Sequence, residues 1–253
     1  MEDEMKIVGY SERGIINALF YEMSYSPQAN NLLESFLALA HFPYLTMQSF
    51  QVRSAMILIE QSFSDFGDAD VVLLIDTGKQ SESVFIEAKV KSFQKSSWSI
   101  EEEYNKFRAG TKSTVRSSNI FTQLYHKVRL VNGLRTGGIN ALQAGIPFPK
   151  SSSKPTRKIG KNKVVLEAVS RLKAYLDTTY YITLIPDAPD RTSTFFDNVL
   201  RKEIPDDFPE WDVTRYGYMF WSKVAEFCDE NDLKKTAEVF TFNQGQIYDD
   251  EHA

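Results

Sequence analysis

Two short apolar runs that carry buried-looking charge constrain this 253-residue chain more than any other feature. Residues 69–76 (ADVVLLID) are dense in β-branched side chains and end in the turn Thr77-Gly78-Lys79; residues 84–90 (VFIEAKV) follow. Both lengths and compositions predict strands, and a short polar link between two strands predicts a hairpin. Side chains alternate along a strand, so Glu87 and Lys89 share one face while Ile86, Ala88 and Val90 take the other. An acid and a lysine on an otherwise apolar central strand are costly unless paired or metal-bound. Asp70 heads the neighbouring strand. Two carboxylates on adjacent strands can hold a hard cation such as Mg²⁺. Such an ion lowers the pKa of a bound water and stabilises charge on a phosphate, and a lysine beside it would orient that water.

The flanking pattern supplies helices. Ser11 reads as the cap of a helix over 11–23, with Ile16, Leu19, Phe20 and Met23 on one stripe and Glu12 heading that same stripe. Ser26-Pro27 opens a second helix whose apolar face is Leu33, Phe36, Leu37 and Ala40. A strand is expected within 48–60, and helical patches within 100–107. Residues 119–134 form an amphipathic helix through Ile120, Leu124, Val128 and Val131, closed by Gly133, Gly137 and Gly138. Residues 147–163 are rich in Pro, Ser and Lys and predict a flexible basic loop. A helix at 166–176, a strand at 179–185, an aromatic helix at 216–227 and a strand at 239–242 complete the order. The expectation is one α/β domain over 1–253, a central mixed β-sheet flanked by helices with a basic loop insertion.

Composition removes several classes. Hydrophobic residues make up 42% and aromatic residues 13% of the chain, which excludes global disorder. Cys228 is the single cysteine, so no internal disulfide forms, and His41, His126 and His252 are too scattered for a zinc site. No apolar run approaches the ~20 residues that cross a bilayer. The opening MEDEMK lacks the basic-then-apolar pattern of a secretion signal, so a cytoplasmic protein with no membrane partner is expected.

The net charge of −5 argues against nucleic acid until it is mapped. Residues 89–173 hold 18 of the 29 basic residues and only four acids, leaving a strongly acidic remainder. Such asymmetry points to a polyanion partner for the basic third. Lys91, Lys95, Lys112, Arg116, Lys127, Lys154, Arg157, Lys158 and Lys161 are its candidate phosphate contacts. Trp98, Tyr104 and Phe107 stand among these cations and either stack on bases or pack in the core. Tyr21, Tyr25, Trp211, Trp221 and Cys228 read as core, and His126 as a surface or phosphate-side residue.

A Glu-x-Lys tripeptide is weak alone: roughly one chance match is expected in a chain of this composition, and two occur, Glu4-Met5-Lys6 and Glu87-Ala88-Lys89. Only the second sits in an expected strand behind an acid-headed strand. Gly67-Asp68-Ala69-Asp70-Val71-Val72-Leu73-Leu74 followed by Phe85-Ile86-Glu87-Ala88-Lys89 resembles the PD-(D/E)XK nuclease superfamily, with Ala69 where that pattern has proline. The resemblance covers about residues 10–135 and the strand at 179–185. It implies a restriction-endonuclease-like core and a Mg²⁺-dependent nuclease, with Mn²⁺ able to substitute, cutting phosphodiester bonds in nucleic acid, with DNA favoured over RNA as the substrate. Asp70 and Glu87 would be metal ligands, and Lys89 would position the water. Glu12 matches an acid that many members carry on the helix before the sheet, as a further ligand or organiser. Gln123, in Phe121-Thr122-Gln123-Leu124-Tyr125-His126-Lys127, matches a helix residue near their metal. Asp68 faces the same way as Asp70, so the strand ligand is one or the other. The resemblance also allows a restriction-type or anti-phage defence endonuclease, alone, as a homodimer or as a subunit of a defence complex. The alternative is a nucleic-acid-binding or assembly subunit that keeps the fold without cleaving.

Overall fold

The computed structural model describes residues 8–46, 50–91, 98–110, 119–148, 154–186, 189–200 and 212–247. Helices α1 (Ser11–Ser24) and α2 (Ala29–Ala38) precede three strands, β1 (Ser54–Ser62), β2 (Asp68–Asp76) and β3 (Ser81–Ala88). Then come α3 (Ile100–Gly110), α4 (Ile120–Ala144), a two-residue ribbon of β4 (Ile146–Pro147) and β5 (Thr156–Arg157), α5 (Lys163–Lys173) and β6 (Thr178–Ile185). α6 (Pro189–Phe195), β7 (Tyr216–Phe220), α7 (Trp221–Glu230), α8 (Lys234–Phe242) and α9 (Gln244–Ile247) complete the described α-helices and strands.

The central sheet has five strands in the order β1-β2-β3-β6-β7. β1, β2 and β3 run antiparallel as two successive pairs, and β6 and β7 join in parallel. Both faces are covered, which is why β2 and β3 read as near-continuous apolar runs rather than alternating ones. Val71, Leu73, Ile75, Val84, Ile86 and Ala88 pack with α1, α2, α7 and α8. Val72, Leu74 and Phe85 pack on the other face with α3, α4 and α5. Burying a side chain such as Leu73 or Phe85 contributes about 1.5–3 kcal/mol.

The described part of 147–163 is not a free loop. β4 and β5 pair through Ile146–Arg157 and Pro147–Thr156, and Ile159 is buried. α4 runs on past Gly133 and Gly137 to Ala144, with its break at Gly138, where φ is +67°. Its start follows expectation: the Asn119 side chain accepts the Thr122 N–H at 2.8 Å. Ser11 does not cap α1. Tyr10 is the cap residue, and the Ser11 N–H donates to Asn243 Oδ1 at 2.7 Å.

Two elements change type. Residues 216–220 form an edge strand against β6, and the helix begins only at Trp221. Residues 239–242 are helical, because Thr236, Val239 and Phe240 recur at helical spacing and bury together in α8. Trp98, Tyr104 and Phe107 are buried, so they pack rather than stack on bases. Trp221 and Cys228 are fully buried, whereas Tyr21 and Tyr25 are exposed at 62% and 84%, against expectation. Trp211 lies outside the described residues. Among the described residues, no helix is long and apolar enough to cross a membrane.

Candidate active site

β2 starts and β3 ends at the same end of the sheet, so Asp70 and Glu87 meet there. The β2–β3 ladder runs from Asp76–Ser81 to Val71–Ile86 and stops. One position further, the Asp70 side chain takes over from the backbone: its Oδ2 accepts the Ala88 N–H at 2.7 Å. Meanwhile β3 stays paired to β6 through Glu87–Thr183 and Ala88–Leu184. The strands part on one side only, at Asp70 and Glu87, beside the C-terminal ends of the parallel pair β3 and β6.

Glu87 is completely buried, and neither of its carboxylate oxygens has a hydrogen-bond partner. The nearest opposite charge is the Lys127 ammonium of α4, 3.4 Å from Glu87 Oε1 and equally buried. Burial pushes the Glu87 carboxyl up to about 7; Lys127 and Lys89 oppose the shift and Asp70 adds to it. Burial also raises Asp70 above the usual aspartate range. The Ala88 N–H and Lys89 pull it back, and the Glu12 charge pushes it higher.

Lys89 is half-buried, and its backbone is held from both sides: its N–H donates to Leu184 O at 2.8 Å, and its carbonyl accepts the Trp221 indole N–H at 2.8 Å. Its charge acts on both carboxylates. Glu12, at the head of α1, takes a hydrogen bond from the Ser11 hydroxyl, and its charge is felt by Asp70. Gln123 lies one helical turn before Lys127, on the same side of α4, and its Oε1 is buried without a hydrogen-bond partner. Asp68 is exposed, and its carbonyl, not its carboxylate, is what α4 holds.

Glu60 is a further acid that the sequence pattern does not single out. Ile59 pairs with Val71 and Gln61 with Ala69, so Glu60 stands across from Asp70 at a skipped rung, with φ at +52°. A positive φ is uncommon for a non-glycine residue and is found more often at functional sites. Burial raises the Glu60 carboxyl; Arg13, whose Nε is 3.1 Å from Oε1, opposes this, while Asp70, Glu12 and Asp68 add to it. A glutamate closing the run Ile57-Leu58-Ile59 was the only sequence sign of it.

The oxygen-only donors Asp70, Glu87, Glu12 and Glu60 suit Mg²⁺ or Mn²⁺ in kind, and the partnerless Glu87 oxygens are what such an ion would satisfy. Among the described residues, no three acidic, histidine or cysteine side chains stand close enough to share an ion, so the carboxylates must turn toward one another to do so.

No protein-family model, no curated protein and no solved structure matches this chain. The site therefore stands on its own geometry.

The basic candidates divide. Lys91 and Lys127 are buried, so neither presents its charge to a surface phosphate, and both expectations are corrected. Arg157 lies on β5 with Lys154 and Lys158 on either side of that strand, and the segment is clamped to the turn before β2. Lys154 Nζ is 2.6 Å from Asp65 Oδ1, Arg157 donates to the Asp65 carbonyl, and the Gly160 N–H donates to Ser64 Oγ at 2.9 Å. Arg157 and Arg129 also cover the Phe148 ring at 5.0 and 5.4 Å. Lys158 and Lys161 are exposed. Lys95, Lys112 and Arg116 lie outside the described residues. His126 is half-buried, edge-on to Phe148 at 5.6 Å. Burial, with Arg157 and Lys127, drives its pKa far below the ordinary histidine value, so it is neutral rather than a phosphate-facing cation.

Proposed function

We propose that the chain is a Mg²⁺-dependent nuclease of the PD-(D/E)XK kind, with a restriction-endonuclease-like core, that hydrolyses phosphodiester bonds in DNA. The observation that carries the reading is the parting of β2 and β3 at Asp70 and Glu87, where a buried carboxylate is left without hydrogen bonds. A strand order of three antiparallel strands continued by parallel β6 supports it.

In this reading Asp70 and Glu87 hold the ion, and Glu12 assists or organises them. The ion, when bound, supplies an acidified water and offsets phosphate charge. Lys89 orients the attacking water, and Gln123 faces the site from α4. Lys154, Arg157, Lys158 and Lys161 bring the polyanion to the end of the sheet where β2 begins. The test is incubation of supercoiled plasmid and of single-stranded DNA with Mg²⁺, Mn²⁺ or EDTA. Cleavage that needs the metal and is lost in Glu87→Ala and Lys89→Ala supports the reading; a Glu87→Ala/Lys89→Ala protein that cuts like wild type contradicts it.

A second reading is a nucleic-acid-binding subunit that does not cut. It is favoured by one observation: the Lys127 ammonium already sits against Glu87 where an ion would bind. DNA binding without any EDTA-sensitive cleavage decides for it.

A further inference from the structure

We infer that Lys127 is a positioning residue, one that ties the acid-bearing start of β2 and the end of β3 to α4 as a single unit. The inference rests on the nuclease reading for its link to cleavage. The Lys127 ammonium is fully buried and reaches three groups: it donates to Phe66 O at 3.0 Å and to Asp68 O at 2.8 Å, and it lies 3.4 Å from Glu87 Oε1. Two of the three ammonium protons go to these carbonyls, and the charge, rather than a hydrogen bond, faces Glu87. The first two partners flank Gly67, whose φ of +77° turns both carbonyls toward one nitrogen. A side chain added at Gly67 would meet that nitrogen at 3.5 Å. Glycine's freedom at positive φ is therefore what permits the cradle.

The consequence reaches Asp70. Its backbone is two residues beyond the held Asp68 carbonyl, and its carboxylate accepts the Ala88 N–H beside Glu87. One buried cation thus sets where the Asp70-bearing strand begins and where the Glu87 carboxylate points. Removing one partner of a buried ion pair leaves the other charge uncompensated, so the carboxylate would shift rather than wait in place. Misplacement of a reacting group by about 1 Å costs about 100-fold in rate. Lys127 cannot itself touch a phosphate from this depth.

Three variants test the role: Lys127→Met, Lys127→Gln, which keeps N–H donors for the carbonyls, and Lys127→Arg, which keeps the charge. Single-turnover cleavage with Mn²⁺, DNA affinity in EDTA, and hydrogen exchange of the Ala88 amide are read on each. The expected result is DNA affinity within about twofold of wild type, cleavage slowed about 100-fold in Lys127→Met and Lys127→Gln, and faster Ala88 exchange in Lys127→Met. Partial recovery of rate in Lys127→Arg supports positioning by charge. A folded Lys127→Met or Lys127→Gln protein that cuts within about threefold of wild type overturns the inference. So does a rate loss matched by an equal loss of DNA affinity, which would make Lys127 a phosphate contact. If Lys127→Met does not fold, Lys127→Gln decides by the same readouts. A wild-type protein that cuts neither DNA with either metal overturns the nuclease reading instead; unchanged Ala88 exchange in the variants then overturns positioning as well.

Discussion

Asp70 Oδ2 accepts the backbone N–H of Ala88 at 2.7 Å, so the carboxylate of one strand closes the ladder of the next, one residue beyond Glu87. This contact has a structural and a chemical share that substitution can separate. Asp70→Asn keeps an acceptor for Ala88 but loses the charge, so stability should stay within about 0.5 kcal/mol and metal-dependent cleavage should vanish. Asp70→Ala also strands the Ala88 N–H and should cost a further ~1–2 kcal/mol. Urea denaturation in EDTA, alongside the plasmid assay, reads both.

Glu87 makes stability depend on pH in a definite direction. Its carboxyl sits at about 7 in the folded protein against an ordinary 4.5. Between those values the folded state holds a proton that the unfolded state has released, so stability falls as pH rises from about 4.5 to about 7 and is flat above that for this group. A shift of this size corresponds to about 3 kcal/mol. Urea melts in EDTA at pH 5 and pH 7.5 should show that fall, and Glu87→Gln should remove it. An equal slope in wild type and Glu87→Gln would show that Glu87 is not the residue responsible.

The exposed and buried lysines should differ in their salt response. Lys158 and Lys161 are exposed, and Lys91 is buried. Replacing both Lys158 and Lys161 with Ala should weaken DNA binding and lower the slope of log affinity against log salt by about two, while Lys91→Ala should leave the slope unchanged. Fluorescence anisotropy across a salt series measures it. A slope change in Lys91→Ala would place that lysine on the nucleic acid despite its burial.

The β2–β3 hairpin and the first turns of α4 were legible because local pattern and tertiary context agree there. β-branched runs flank a polar turn in the hairpin, and Ile120, Leu124, Val128 and Val131 share one helix face. Residues 216–220 misled because the aromatic strand passes into the Trp221 helix with no turn residue between them. At 239–242 burial against α1 overrode the β-branched local preference. At the site, the register that sets Asp70 rather than Asp68 beside Glu87 comes from the β2–β3 pairing, and only the face these side chains share was readable from strand alternation. Lys127 and Glu60 were not, because what defines them is a partner far along the chain: the Asp68 carbonyl is 59 residues before Lys127, and Asp70 stands across a skipped rung from Glu60. A lysine on an amphipathic helix ordinarily reads as solvated, and only the fold shows this one enclosed.

The central claim is that Asp70 and Glu87 hold one divalent ion. Anomalous scattering from crystals of the protein soaked in Mn²⁺ tests it most directly. The account predicts a single strong peak within bonding distance, about 2.0–2.3 Å, of an Asp70 oxygen and a Glu87 oxygen, lost in Glu87→Gln. A soaked crystal with no peak there, or with Mn²⁺ bound only elsewhere, contradicts it.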